Sequence, residues 1–204
     1  MCIERRSNSN AYSAAQSGAT LPELIMFIVI VSISVLGILS VLDLTVRRSA
    51  DPMVRKQMLA IAESLLEEVE AMPYTYCDPT DANVETASRA QLGAGGCATT
   101  VENLGAEAGE TRSSSTTPFN NVNDYYASGG YALPSAITDI SGGNPAPAGY
   151  SATINITPEA LNTIASDSSA ANMNALRIAV TVAHGDDSLT LEGYRSRHSP
   201  NLAQ

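Results

Sequence analysis

The sequence predicts an α+β fold in which a long N-terminal helix packs on an antiparallel β-sheet, and three observations carry that prediction. An uncharged apolar run of 19 residues occupies 24–42, LIMFIVIVSISVLGILSVL. An amphipathic stripe at helical spacing follows over 52–72, and apolar residues alternate with polar ones after residue 150.

The apolar run has the length of a single bilayer crossing. At about 1.5 Å per residue it reaches roughly 28 Å, against a hydrocarbon core of about 30 Å. Glu23 and Asp43 bound it. A buried core helix would need apolar surface on every side, yet the chain holds only 2 Phe, 8 Tyr and no Trp. A membrane span is therefore expected, with lipid as its surroundings. A secretory signal peptide fits less well, because the small residues precede the run instead of following it.

After the span the chain reads RRSADPMVRKQMLAIAESLLEEVEAM. Asp51 before Pro52 predicts a helix start, with Asp as N-cap and Pro at the first helical position. Val54, Met58, Ile61, Ala62, Leu65, Val69 and Met72 draw the apolar stripe. Arg55, Lys56, Glu63, Glu67, Glu68 and Glu70 fall on the other side, which reads as a solvated face with no site. A bent or interrupted helix is expected overall.

Residues 78–149 are rich in Gly, Ser, Thr, Asn and Pro and are expected to be loop, with TRSSSTTP and SGGNPAPAG as the clearest stretches. The sheet is expected over 150–195. Tyr150, Ala152, Ile154 and Ile156 alternate as one strand, and Ile178, Val180 and Val182 as a second. The pattern resumes at Leu189 and Leu191 after His184-Gly185-Asp186-Asp187, the tip of a hairpin.

Charge and motifs exclude several functions. With 11 Lys+Arg against 21 Asp+Glu the net charge is −10, so no nucleic-acid partner is expected, since phosphate affinity rests on clustered cations. His184 and His198 stand beside no nucleophile motif, and there is no G-x-S-x-G, phosphate-binding glycine loop or H-E-x-x-H, so no catalytic residue is assigned and no enzyme is expected. Asn120, Asn121, Asn123 and Asp124 offer oxygens to calcium. One carboxylate among four is a weak set, and an Asn-rich turn explains it as well. No metal or cofactor is expected.

The heptapeptide Gly18-Ala19-Thr20-Leu21-Pro22-Glu23-Leu24, behind a leader containing Arg5 and Arg6 and before the apolar run, resembles the class III signal of type IV prepilins and type II secretion pseudopilins. The layout beyond it, from RRSADPMVRKQMLAIAESLLEEV through FNNVNDYY and GYSATINITP to LRIAVTVAHGDDSLTLEGYRSRHSPN, is similar to MshD-type minor pilins of the mannose-sensitive haemagglutinin (MSHA) pilus. Only the heptapeptide is a specific motif. The resemblance implies a pilin-like fold with a prepilin leader at 1–18, an N-terminal helix over 19–72 and a periplasmic or extracellular domain over 73–204. It implies cleavage by a prepilin peptidase between Gly18 and Ala19, N-methylation of Ala19, and a role for Glu23 in assembly. Ala19 and Pro22 depart from the usual Phe and aliphatic residue, although Pro is tolerated in a first helical turn.

The implied partners are other pilin subunits, the peptidase, the inner-membrane assembly platform and membrane lipid. The implied location is a single-pass inner-membrane precursor that becomes part of a surface pilus. A positive-inside count opposes this orientation, because Arg47, Arg48, Arg55 and Lys56 follow the span. The leader motif and the cysteines outweigh it. Loss of Cys2 with the leader leaves Cys77 and Cys97, expected as a disulfide outside the membrane. A carboxylate at the edge of a span either stays hydrated among the headgroups or calls for a cation, and the resemblance favours pairing of Glu23 with the nearest candidate, the amino group freed at Ala19. A minor pseudopilin of type II secretion and a membrane-tethered ligand-binding domain are the alternative functions.

Overall fold

The computed structural model describes Gly18 and residues 20–197, with the side chains of 44–51 excepted. Ala19, His198 and residues 1–17 of the expected leader, Cys2 among them, lie outside the described residues. Helix α1 spans Leu21–Ala71, and the strands are β1 Tyr131–Ala132, β2 Tyr150–Pro158, β3 Ala175–His184 and β4 Asp187–Ser196. The class is α+β. The chain forms two compact units, residues 1–50 and 51–204, and α1 contributes to both.

In the first unit Thr20 begins the helix. The Leu24 N–H donates to its carbonyl at 3.1 Å, and the Thr20 N–H donates to Glu23 Oε2 at 3.4 Å. That Glu23 bond is one half of a capping box, and Pro22 sits in the first turn, where its missing N–H has no partner to lose. Leu21–Asp43 is long and apolar enough to cross a membrane, with mean hydropathy 2.9. Its large side chains are exposed, from 41% at Val31 to 72% at Leu21. Ser32, Ser34 and Ser40 turn their hydroxyls back onto the carbonyls of Ile28, Ile30 and Leu36 at 2.7–2.9 Å. Their polar atoms are thereby satisfied within the helix, as a hydrocarbon environment demands.

One expectation is corrected between the two halves of α1. Asp51 and Pro52 are both helical, and Pro52 lies inside α1, so Asp51 is no N-cap and the helix is not interrupted there. A proline removes one i→i−4 bond, and the ladder on either side carries the helix past it. The helix stops one residue short of Met72, ahead of Pro73, with a tightened bond from Met72 N–H to Val69 O at 3.2 Å.

The second unit is built on an antiparallel meander in the order β1-β2-β3-β4. Its register stacks the expected apolar residues into rows. Ala152 pairs with Val182 and Val182 with Leu189; Ile154 pairs with Val180 and Val180 with Leu191; Ile156 pairs with Ile178 and Ile178 with Gly193. Met58, Ala62, Leu65 and Val69 of α1 share one buried core with these rows. Gly193 makes room for the helix: a Cβ there would collide with the Glu70 carboxylate and lie 3.1 Å from Leu66 Cδ1. The β3–β4 connection is the two-residue loop Gly185-Asp186, with His184 paired to Asp187 and Gly185 at φ +59°. A left-handed glycine at the first loop position is what a type II′ hairpin requires.

The sheet is larger than the expected 150–195, because β1 precedes it and β4 runs to Ser196. The 78–149 stretch is not plain loop either. It supplies a 3₁₀ turn at Val122–Tyr125 and the buried residues Phe119, Leu133 and Ile137. Phe119, Tyr125 and Tyr131 meet edge to face with ring centroids 5.0–6.1 Å apart, a geometry that adds to simple burial.

Candidate functional site

Three features of the second unit are candidates for function: the cystine-closed loop, a polar link beneath α1, and a buried group of acids.

Cys77 and Cys97 are joined, with Cα atoms 5.4 Å apart. Val84, Ala87, Tyr76 and Val101 pack around the bridge as a small core of their own. Asp81 organises the enclosed segment. Its carboxylate accepts from the backbone N–H groups of Asn83, Ala98, Thr99 and Thr100 and from the Thr99 hydroxyl at 2.7–3.0 Å. Burial raises the Asp81 pKa, but those backbone donors outweigh it and hold the carboxyl well below its usual range.

Glu68 is not on a solvated face, contrary to the amphipathic reading of α1. It is bidentate with Arg112 at 2.5–2.6 Å and accepts from the Tyr125 hydroxyl at 2.6 Å. Arg112 also donates to the carbonyls of Thr138 and Asp139. An open groove of about 620 Å³ lies alongside, lined by residues that include Ile61, Leu65, Ile137 and Pro145. No histidine or cysteine lines it. His184 stands elsewhere, half-buried at the end of β3 with its ring 4.6 Å from that of Tyr150.

The acidic group is the most unusual feature. Candidate ligand oxygens of Asp78, Glu102 and Glu107 lie within 4.8 Å of one another, as do those of Glu107, Glu110 and Asp124, so Glu107 belongs to both sets. Glu102 is 0% and Asp124 1% exposed. The 3₁₀ turn positions Asp124, whose Oδ2 accepts from the N–H groups of Asn120 and Asn121 at 2.8 Å. Asn123 Nδ2 donates to Glu102 Oε1 at 2.7 Å and also to the Asn103 carbonyl. Asn120 Nδ2 donates to Glu110 Oε1 at 2.9 Å.

One oxygen of each of Glu102, Glu110 and Asp124 is thus fixed by an N–H donor, while Glu102 Oε2, Glu110 Oε2 and Asp124 Oδ1 are buried with no N–H or hydroxyl donor, and the carboxyls of Asp124 and Glu102, and of Glu110 and Glu107, meet closely enough to share a proton. Glu107 Oε2, Asn120 Oδ1 and Asn123 Oδ1 are in the same condition. Among the described residues none of these four carboxylates is ion-paired. Arg197 feels the Glu102 charge, but its guanidinium stacks on Tyr74 and Tyr76 at 4.7 and 4.9 Å and its Nη1 donates to the Ala170 carbonyl. Burial first, and then the neighbouring carboxylates, push the Glu102 carboxyl far up and that of Glu107 to about 7. Burial likewise raises Asp124 and Glu110.

Of the oxygens weighed in the sequence, Asn120, Asn123 and Asp124 belong to this group. Asn121 does not, because its Oδ1 caps the Val122 N–H and its Nδ2 donates to Thr75. Glu102, Glu107, Glu110 and Asp78 escape a sequence reading that looks for ligands close together in the chain. The available signal was three Glu in VENLGAEAGE, a segment with no Lys or Arg between Arg89 and Arg112.

Of the other sequence-derived site residues, Gly18 precedes α1 and Glu23 lies in its first turn, beside the Thr20 N–H. Comparison with protein-family models, with curated proteins and with solved structures finds no significant match.

Proposed function

We propose that the chain is a minor type IV pilin of the MSHA class, a structural subunit and not an enzyme. In this reading it is made as an inner-membrane precursor, cut between Gly18 and Ala19 by prepilin peptidase, and assembled through its apolar helix with the sheet domain outside. The observation that carries the reading is the Gly18–Leu24 heptapeptide abutting the apolar helical run Leu21–Asp43. An exposed apolar helix followed by an α+β domain closed by a disulfide is compatible with it.

Mass spectrometry of the mature N-terminus tests the proposal. A start at Ala19, with an added methyl group, is expected in cells that carry the peptidase. A chain that keeps Met1 in such cells overturns the assignment.

A further inference from the structure

We propose that Glu102, Glu107, Glu110 and Asp124, with the amide oxygens of Asn120 and Asn123, form a calcium-binding site centred on Glu107. The argument stands on geometry and hydrogen-bond accounting. Glu107 offers an oxygen to both acid sets, whose members approach within 4.8 Å. A buried acceptor without a donor is costly; six oxygens on these six residues have no N–H or hydroxyl donor, and the carboxyls among them meet only one another, in the pairs Glu102–Asp124 and Glu107–Glu110. Three of the six residues are fully enclosed: Glu102 and Asn123 are 0% and Asp124 1% exposed. Asn123 adds an observation independent of the acids. Its Nδ2 donates to Glu102 and so brings the amide to the cluster, while its own Oδ1 is left buried and unpartnered.

The local framework orients these oxygens. Asn120 and Asn123 each hold one oxygen of a glutamate, and the backbone of the 3₁₀ turn holds one oxygen of Asp124. The second oxygen of each is the one without a donor. Carboxylates fixed at one atom and unsatisfied at the other can accept a positive charge with little rearrangement.

The donor set selects the ion. Every free atom is an oxygen, and most belong to carboxylates, which suits a hard cation. Zinc would call for imidazole or thiolate, yet His184 is at the β3–β4 hairpin and Cys77 and Cys97 are in the disulfide. Calcium takes six to eight oxygens in flexible geometry, whereas magnesium requires a regular octahedron and keeps much of its water. An all-oxygen set on an irregular loop framework, with water free to complete the shell, matches calcium. The ion would tie the 102–110 segment to the 120–124 turn and so order much of the stretch between the disulfide and the sheet. This inference does not depend on the proposed pilin function.

The test uses the full chain purified in detergent, stripped with EDTA and returned to about 150 mM salt, where diffuse attraction of ions to a charge of −10 is screened. Calcium chloride is titrated by calorimetry and by thermal unfolding, with magnesium chloride in parallel. Calcium should bind with measurable heat and raise the melting temperature, and magnesium should do so far less. Glu107→Gln should weaken calcium binding by at least about tenfold, since even the loss of an outer-shell partner costs a metal site about 10–100-fold. Its calcium-free melting temperature should equal or exceed that of the parent, because a like charge has gone. Glu110→Gln repeats the measurement should the first variant fail to fold. The proposal is overturned by a flat calcium titration, by equal responses to the two ions, or by a calcium-induced shift that survives the Glu107 and Glu110 substitutions.

Discussion

Arg112 is bidentate to Glu68 across a separation of 44 residues, with side-chain exposures of 3% and 13%. The pair joins α1 to the loop region, and Tyr125 extends it through a hydroxyl bond to the same carboxylate. Removing one member of a buried pair leaves the other charge uncompensated, at about 3–5 kcal/mol. Glu68→Ala should therefore lower unfolding stability by about that amount in denaturant titrations. Glu67→Ala, at an exposed neighbouring position, should stay within about 0.5 kcal/mol of the parent. Similar losses in the two variants would show that the Arg112 contact contributes nothing beyond helix propensity.

Asp81 predicts an acid-dependent term. Its folded-state pKa is depressed below the ordinary carboxylate value. Its contribution is thus fully present above about pH 4 and is lost as the pH falls from there toward the folded-state pKa. Asp81→Asn leaves several backbone donors poorly satisfied and should cost roughly 1–3 kcal/mol at pH 6. The difference between parent and variant should shrink as the pH is lowered to 3, measured by thermal unfolding in EDTA. A gap that is constant with pH would reject the assignment to the charged carboxylate.

The disulfide predicts a large effect for a single covalent bond. Cross-linking Cys77 to Cys97, 20 residues apart, removes about 3 kcal/mol of loop entropy from the unfolded chain in the chain-entropy model. Cys97→Ser with Cys77→Ser should lower the melting temperature accordingly, and the 78–96 segment should become the first site of limited proteolysis. An unchanged cleavage pattern would mean that the Asp81 hydrogen bonds hold the loop unaided.

Glu23 offers a test of the proposed assembly. Because Gln also serves as the third residue of a capping box, Glu23→Gln keeps the bond to the Thr20 N–H and removes only the charge. On the proposed reading the variant is still cut to an Ala19 start and stays in the inner membrane, yet is depleted from sheared fibres. The reason is that stacked helices need each carboxylate paired with a freed amino group. Equal incorporation would leave the apolar run as the sole determinant of subunit register.

The sequence by itself determined what depends on neighbours in the chain. The apolar helical run at 24–42 is a composition signal, the stripe from Val54 to Met72 a 3.6-residue period, and the strands around Ile154 and Val180 a two-residue period. The cystine followed from counting what remains after the expected loss of Cys2. Tertiary structure decided what depends on distant segments meeting. Glu68 belongs by periodicity with the exposed acids Glu63 and Glu67, and only the arrival of Arg112 and Tyr125 brings it inside. Asp124 reads as one acid in an Asn-rich turn, until folding sets it beside Glu107 and Glu110 from another loop. Local periodicity reports which face of an element is apolar, because burial repeats along the element. It carries no information about which charged side chains from separate loops share one enclosed volume, and in this protein that sharing produces the candidate calcium site.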